Sequence, residues 1–151
     1  MAHVYGPALR HEIIGRTTVR HIILASHHRF AEGLADTMAY IGNLEGLTVI
    51  CAYIDETPIS KQIAEVFADI DPKDEVIVLA DIMQGSVNQA FAPYINDHVF
   101  LIAGTNVALA LELAFADEPL TETTIETAID IARQSMVLMN TAVADIDRDD
   151  E

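Results

Sequence analysis

Residues 20–28 read RHIILASHH, and this stretch decides the fold. Its apolar run, residues 22–25, stops at a serine and two histidines, and a helix-like segment begins at Phe30. Continuous apolar runs are typical of parallel strands that helices cover on both faces. Ligands of open α/β sheets bind at the carboxyl ends of such strands. The stretch therefore predicts a buried strand with an imidazole at its ligand-binding end.

The same alternation continues along the chain. Apolar, β-rich runs occupy residues 21–26, 47–54, 75–81 and 98–103, and helix-like segments occupy residues 30–42, 59–70, 86–95, 107–116 and 122–140. Strands that alternate with long helices imply right-handed βαβ crossovers. We predict an α/β fold with an open, doubly wound, mostly parallel sheet of four or more strands flanked by helices. The expected strand order is flavodoxin-like, 2-1-3-4.

The alternation also defines the predicted domain. Residues 1–19 show no clear period, and we interpret them as an N-terminal extension for which disorder is one interpretation. One domain is expected over residues 20–141, followed by an acidic tail over residues 142–151. Near the end of the domain, Met136 and Met139 continue the apolar positions of the last helix at helical spacing, which predicts that they fill the core.

Composition and charge exclude several classes of protein. The chain has 151 residues, of which 51% are hydrophobic, so disorder of the whole chain is not expected. No apolar run approaches the ~20 residues that span a bilayer, and no secretory segment is visible, so we expect a cytoplasmic protein without membrane insertion. A formal charge of −16 disfavours nucleic acid and anionic membranes and favours basic protein partners.

The only cysteine, Cys51, excludes an intrachain disulfide and a cysteine-rich metal site. It lies within an apolar run, and we interpret it as a small core residue. We also expect no metal at the two adjacent histidines, because neighbouring side chains that leave a strand point in different directions. The residues indicate no cofactor.

Polar residues follow several of the predicted strands. If the first and third strands are neighbours, His27 and Asp81 face each other across a crevice at the carboxyl edge of the sheet. A carboxylate that accepts the Nδ1–H of an imidazole leaves Nε2 as a nucleophile. Gly85 and Ser86 open a helix, where backbone N–H groups and a hydroxyl suit a phosphate. Together these residues favour transient phosphorylation on nitrogen.

Each element has an ordinary structural explanation when taken alone. An aspartate after a strand is usually a turn former or a helix cap, and a Gly-Ser pair is usually a turn. The prediction depends on the convergence of these elements. The four histidines at positions 3, 11, 21 and 98 lie in the extension or at strand starts, and we interpret them as structural. Ser26 and His28 remain candidates for auxiliary roles beside His27.

The sequence resembles a known family at these same positions. Residues 23–27 and 30–34 resemble the active-site opening of IIA components of the mannose/fructose/sorbose family of the bacterial phosphoenolpyruvate-dependent sugar phosphotransferase system. Residues 81–88 resemble the second motif of that family, and residues 101–106 resemble the end of its fourth strand. The resemblance covers about residues 20–140, with the motifs in the family's order.

The resemblance implies a function in sugar uptake. His27 would accept a phosphoryl group from the histidine-containing phosphocarrier protein and pass it to a IIB component. Asp81 would orient His27, and Ser86 would bond the phosphoryl oxygens. Members of the family commonly form homodimers. The acidic charge of the chain also suits a carrier that presents a positive face.

The chain departs from the family at three positions. His28 follows His27 where the family usually has glycine, so either imidazole is a candidate nucleophile, and alignment through Ser26 favours His27. Gln84 and Val87 stand where the family often has glycine and proline, which implies a differently shaped phosphate cradle.

Three other functions compete with sugar transport. The phosphohistidine subunit that feeds dihydroxyacetone kinase shares the expected fold and nucleophile but has a different acceptor. A IIA-like regulatory domain without a transport role is a second alternative. A receiver domain is disfavoured, because it needs an acidic pair after the first strand and a lysine at a late strand end.

Overall fold

The computed structural model describes residues 2–5, 10–13, 16–117 and 119–146, and it describes side chains over residues 18–117 and 119–142. Its strands are β1 (Ala2–Tyr5), β2 (Arg10–Ile13), β3 (Arg16–His27), β4 (Leu47–Ala52), β5 (Glu75–Ala80) and β6 (Val99–Ala103). Its helices are α1 (Phe30–Gly42), α2 (Ile59–Ala68), α3 (Ser86–Phe91), α4 (Val107–Ala114), α5 (Glu122–Gln134) and α6 (Met139–Ile146). A 3₁₀ turn, Ala92–Tyr94, follows α3.

Four of the strands form the predicted parallel sheet. They lie in the order β4-β3-β5-β6, which is the predicted order 2-1-3-4 and confirms the fold class. In this register Ser26 pairs with Cys51, and Ala25 pairs with Ala80. The carboxyl ends of β3, β4 and β5 therefore meet at one edge of the sheet.

The core explains why the strand runs are continuously apolar. Ile22 and Leu24 of β3 pack into one cluster with α1, α4 and α5, whereas Ile23 and Ala25 pack into a second cluster with α2 and α3. Successive side chains of a strand point to opposite faces, so helices on both faces bury the whole apolar run of β3, residues 22–25. This packing is the doubly wound arrangement that the pattern predicted.

The N-terminal extension contains two strands that the sequence did not predict. β1 pairs antiparallel with β4, and β2 pairs antiparallel with the first part of β3. β3 itself begins at Arg16, before its apolar run. These segments show no hydrophobic period, which is the signal that sequence analysis reads. The domain limits remain a prediction, and residues 147–151 of the acidic tail lie outside the described residues.

The last predicted helix is two helices. α5 ends at Gln134, where the Ser135 hydroxyl donates to the carbonyl of Ala132 at 2.6 Å. Such side-chain bonds to the preceding turn compete with continued helix. Met136 and Met139 are consequently 74% and 58% exposed, so the prediction that they fill the core is wrong. Because the helix is interrupted, residues beyond Gln134 no longer share the apolar face of α5.

The amino-terminal edge of the sheet contains an ion pair and a histidine–aspartate pair. Arg20 is buried and pairs with Glu75, whose other oxygen accepts the N–H of Leu120 at 2.6 Å. His21 Nε2 lies 2.9 Å from an oxygen of Asp74. The other oxygen of Asp74 accepts the N–H of Val19 at 3.2 Å, so Asp74 and Glu75 both fasten the start of the parallel sheet to neighbouring backbone. In the described part of the chain, no helix is both long and apolar enough to cross a bilayer.

Candidate active site

His27 ends β3 at the carboxyl edge of the sheet, with a side chain that is 34% exposed. Its Nδ1 lies 3.0 Å from Oδ2 of Asp81, and its backbone N–H donates to the same oxygen at 2.8 Å. The other oxygen of Asp81 accepts the N–H of Ile82 at 2.9 Å. Asp81 therefore holds both the backbone and the ring of His27. With the proton on Nδ1, Nε2 carries a free lone pair.

The Gly85-Ser86 turn lies against the other side of the imidazole. The Ser86 hydroxyl oxygen is 3.4 Å from His27 Nε2. A Cβ at Gly85 would lie 2.8 Å from His27 Cε1, closer than carbon atoms normally approach. Asn88 supports the preceding loop, since its Nδ2 donates to the carbonyls of Ile82 and Met83 at 2.8 and 2.7 Å. The absence of a side chain at Gly85 lets the turn approach the ring.

Tyr53 is a site residue that sequence analysis missed. It follows β4 directly, and its ring stacks on the imidazole of His27 with centroids 5.7 Å apart and planes 22° apart. The Tyr53 hydroxyl also forms a hydrogen bond with the hydroxyl of Ser86. In the sequence this tyrosine looks like one more apolar strand residue. Its position at a strand end, beside the ends that carry His27 and Asp81, was the available signal.

Ser26 and His28 shape the loop after β3, and none of the described hydrogen bonds joins their side chains to Asp81 or Ser86. The Ser26 side chain is fully buried, donates to the carbonyl of His28 at 3.0 Å and accepts the N–H of Ala31 at 2.8 Å. His28 has a φ of 55° and donates its N–H to Ala52 at 2.9 Å, while its side chain is exposed. A positive φ favours glycine, which is the residue that the resemblance leads one to expect here.

The fourth strand end has a structural role. The N–H groups of Gly104 and Thr105 both donate to the carbonyl of Ala80 at 3.1 Å. Asn106 caps α4 by accepting the N–H of Leu109 at 2.8 Å. None of the described contacts joins these residues to His27. They fix the end of β5 and so the position from which Asp81 projects.

Two other ionisable groups near this edge have shifted pKa values. Burial raises the pKa of the Cys51 thiol, which disfavours the reactive thiolate. Hydrogen bonds from Thr57 lower the pKa of Asp55, in the loop after Tyr53. Among the side chains that the structure describes, no three His, Cys, Asp or Glu residues are grouped closely enough to hold a metal ion.

Large apolar side chains are exposed just after the strand ends that meet at the edge of the sheet carrying His27. We call this group the apolar rim, and it comprises Phe30, Tyr53, Ile54, Ile82 and Met83, which are between 37% and 73% exposed. These residues follow β3, β4 and β5, the same three strands that supply the site. Clustered exposed apolar side chains mark surfaces that bind other molecules.

The chain folds as an α/β protein with His27 and Asp81 at the carboxyl edge of its sheet, and comparisons with known proteins identify its family. Residues 21–131 match the family described as the fructose IIA component of the phosphotransferase system. The chain is therefore a member of the mannose/fructose/sorbose family of IIA components. Membership supports phosphoryl relay in a sugar phosphotransferase system. No curated protein matches the chain.

Three solved structures are similar to this chain. A proposed phosphoenolpyruvate-dependent sugar phosphotransferase permease of Klebsiella pneumoniae is 34% identical, with a TM-score of 0.76 over 82% of this chain and 93% of its own. A IIA protein associated with the fucose utilization operon of Streptococcus pneumoniae is 23% identical, with a TM-score of 0.69 over 82% and 96%. A mannose/sorbose-specific IIA subunit of Enterococcus faecalis is 22% identical, with a TM-score of 0.67 over 79% and 93%. The last two support the fold alone.

Proposed function

We propose that this chain is a phosphoryl relay in sugar uptake, with His27 as the residue that carries the phosphoryl group. The observation that carries the proposal is the geometry of one imidazole. Asp81 occupies Nδ1 at 3.0 Å, and Nε2 is directed toward the Ser86 hydroxyl at 3.4 Å. A nitrogen nucleophile needs a lone pair and a partner that stabilises the charge it gains. With the proton on Nδ1, Nε2 supplies the lone pair and Asp81 is the stabilising partner.

The proposed step transfers a phosphoryl group between two imidazoles. The lone pair of His27 Nε2 attacks phosphorus on the phosphohistidine of the histidine-containing phosphocarrier protein. A new N–P bond forms at Nε2, the N–P bond of the donor breaks, and its electron pair returns to the donor nitrogen. The proton on Nδ1 stays in place, so the phosphorylated ring is cationic. The Asp81 carboxylate compensates that charge.

Ser86 and Gly85 would serve the transferred group. The Ser86 hydroxyl is close enough to Nε2 to donate to a phosphoryl oxygen once the N–P bond has formed. Because Gly85 has no side chain, the turn can lie close to the imidazole. The phosphate cradle predicted for Gly85 and Ser86 requires this close approach. Phosphoryl transfer depends mainly on positioning and charge stabilisation, so a site with few side chains is sufficient.

The surroundings of His27 suit successive protein partners. The apolar rim offers a surface on which a carrier could bury area, and the net charge of −16 would attract a partner with a positive face. We propose the phosphocarrier as donor and a IIB component as acceptor. The cytoplasmic location predicted from the sequence is part of this proposal.

The decisive experiment is phosphorylation from phosphoenolpyruvate. The protein is incubated with enzyme I, the phosphocarrier and labelled phosphoenolpyruvate, and acid-labile phosphate is mapped by mass spectrometry. We expect one phosphoryl group on His27, lost in His27→Ala and kept in His28→Ala and in the surface control His98→Ala. Label that survives in His27→Ala but disappears in His28→Ala would move the nucleophile by one residue. No label in the unaltered protein would refute the relay.

The acceptor is tested with the phosphorylated protein. Transfer to a IIB component encoded beside the gene supports sugar uptake, whereas transfer only to a dihydroxyacetone kinase subunit assigns the alternative acceptor. Phosphorylation without transfer to either acceptor would favour the regulatory alternative. Membrane transporter genes next to this gene would support the first outcome.

We also propose that the protein is a homodimer, as the family resemblance implies. The exposed apolar segment Met136–Met139, whose members are 57% to 74% exposed, is available for contact with a second copy. Sedimentation equilibrium should give twice the monomer mass of 16.5 kDa. The double variant Met136→Lys, Leu138→Lys should sediment as a monomer if this segment lies in the interface. A monomeric parent protein would refute the dimer without affecting the relay.

A further inference from the structure

Tyr53 has a backbone conformation that tyrosine rarely adopts. Its φ is 65°, in the left-handed region, where a Cβ crowds the following carbonyl oxygen. Such residues persist where the surrounding structure holds them, often at functional sites. The left-handed residue lies directly after β4, at the edge of the sheet that carries His27. Here the unusual backbone accompanies two contacts with the proposed site.

We propose that Tyr53 is a positioning residue for phosphoryl transfer, acting on the imidazole of His27 through stacking and on the hydroxyl of Ser86 through a hydrogen bond. The inference rests on the relay function proposed above. It adds a third residue to the Asp81 and Ser86 contacts of the histidine. It also assigns a task to an aromatic side chain that is 56% exposed to solvent.

The ring contact restricts how the imidazole moves. Asp81 contacts Nδ1, and Gly85 lies so near that a Cβ there would be 2.8 Å from Cε1. Tyr53 adds a stacked contact with one face of the ring, at 5.7 Å between centroids. Stacking of this kind stabilises one ring orientation. With one face covered, the remaining freedom of the ring is limited and Nε2 keeps its direction.

The hydroxyl contact determines where the proton of Ser86 points. A serine hydroxyl has a single proton and can also accept. If the Tyr53 hydroxyl donates to the Ser86 oxygen, the Ser86 proton is free to point at Nε2, 3.4 Å away. After transfer, the same proton would point at a phosphoryl oxygen. Donation by Tyr53 also makes Ser86 a stronger donor, because hydrogen bonds in a chain polarise each other.

A competing interpretation places Tyr53 in the apolar rim alone, where it would bind partners without affecting the chemistry. The two interpretations predict different kinetics. Tyr53→Phe keeps the ring and its apolar area and removes only the hydroxyl. A residue that only docks partners would therefore tolerate this change. A positioning residue would lose kcat with little change in KM, because the hydroxyl acts within the complex.

The test measures phosphoryl transfer from the phosphorylated phosphocarrier to Tyr53→Phe, Ser86→Ala and the double variant. Tyr40→Phe, which alters a tyrosine 90% exposed on α1, is the matched control. We expect kcat to fall roughly three- to tenfold in Tyr53→Phe, with KM within twofold. The double variant should equal Ser86→Ala, because Tyr53 acts through Ser86. Thermal unfolding checks that each variant is folded.

The ¹⁵N chemical shift of His27 Nε2, measured by NMR, tests the Tyr53–Ser86–His27 contact without phosphoryl transfer. In Tyr53→Phe the Nε2 resonance should move toward the value of an unbonded imidazole nitrogen, and in a Ser86→Ala background the same change should have no effect. Unchanged kcat in Tyr53→Phe, a rise in KM alone, or independent effects in the double variant would overturn the positioning role. If the unaltered protein accepts no phosphoryl group, the relay fails, and the NMR result alone then decides whether Tyr53 positions the histidine.

Discussion

Two histidine–aspartate pairs lie at opposite edges of the same parallel sheet. His27 and Asp81 join the carboxyl ends of β3 and β5, whereas His21 and Asp74 join these strands near the start of β5. The separations are 3.0 and 2.9 Å, so distance does not distinguish the pairs. The two pairs differ in which nitrogen the carboxylate contacts and in what surrounds the ring.

Asp81 contacts Nδ1 of its histidine, whereas Asp74 contacts Nε2. Nε2 is the ring nitrogen farther from the backbone, and of these two histidines only His27 has an Nε2 that its aspartate does not contact. The His27 side chain is also 34% exposed, against 18% for His21. The comparison shows that a histidine–aspartate contact alone does not identify a candidate site. The histidine must also have an accessible Nε2, and a turn such as Gly85-Ser86 must approach that nitrogen.

Replacing the two aspartates in turn tests this comparison most strongly. Asp81→Asn should slow phosphorylation of His27 about 1,000-fold, because an amide neither fixes the tautomer nor compensates the cationic ring. Asp74→Asn should leave the rate within twofold. Rates of label transfer measure both effects, and circular dichroism checks the fold. Equal rates in the two variants would remove the orienting role from Asp81.

The ion pair beside the second histidine should affect stability without affecting transfer. Glu75→Ala removes a carboxylate from the buried Arg20, and we expect the free energy of unfolding to fall by about 3 kcal/mol. Glu65→Ala, which removes an exposed ion pair with Lys61, should change it by less than about 0.5 kcal/mol. Urea unfolding gives both values. A slower transfer per folded Glu75→Ala molecule would contradict the separation of the two edges.

The turn beside His27 can be tested with a single methyl group. Gly85→Ala places a Cβ 2.8 Å from His27 Cε1, so the ring must shift, and we expect phosphorylation to slow about tenfold. Gly33→Ala is the control, because a Cβ there meets nothing within 4 Å and α1 should gain about 0.5–1 kcal/mol of stability. An unchanged rate in Gly85→Ala would show that the close approach is not needed.

The smallest effect is expected at His28. Replacement by glycine relieves its positive φ of 55° but adds freedom to the unfolded chain, so we expect stability to rise by at most about 1 kcal/mol. Phosphorylation of His27 should continue at a similar rate. Differential scanning calorimetry and the label assay measure the two quantities. A large loss of transfer in His28→Gly would mean that this imidazole takes part after all.

The sheet was predictable because burial on both faces requires continuous runs of apolar residues, which are visible in the sequence. The apolar runs locate β3, β4, β5 and β6 to within a few residues, except where β3 extends back to Arg16. The N-terminal strands β1 and β2 are held by backbone hydrogen bonds to β4 and to the first part of β3. Such bonds form with any side chains, so they leave no hydrophobic pattern in the sequence. The break after Gln134 was missed because the apolar spacing of the sequence continues across it.

The candidate site was predictable where topology alone brings residues together. Parallel strands end at one edge, so the neighbouring strand ends carrying His27 and Asp81 could be paired from strand order. The contacts of Tyr53 depend on the left-handed backbone conformation of that one residue, which the hydrophobic periodicity of a sequence does not predict. The roles of Ser26 and His28 depend likewise on the path of a single loop.

Asp81 has a consequence for the order of events during relay. Because it occupies Nδ1, His27 offers a single nitrogen, Nε2, to both partners of the proposed relay. In the proposed relay, donor and acceptor would then use this nitrogen in turn, and a complex of all three proteins would not be productive. Initial rates should follow ping-pong kinetics, with excess unphosphorylated acceptor competing against the donor. The two partners would accordingly have to present similar surfaces to this protein, even if their folds are unrelated.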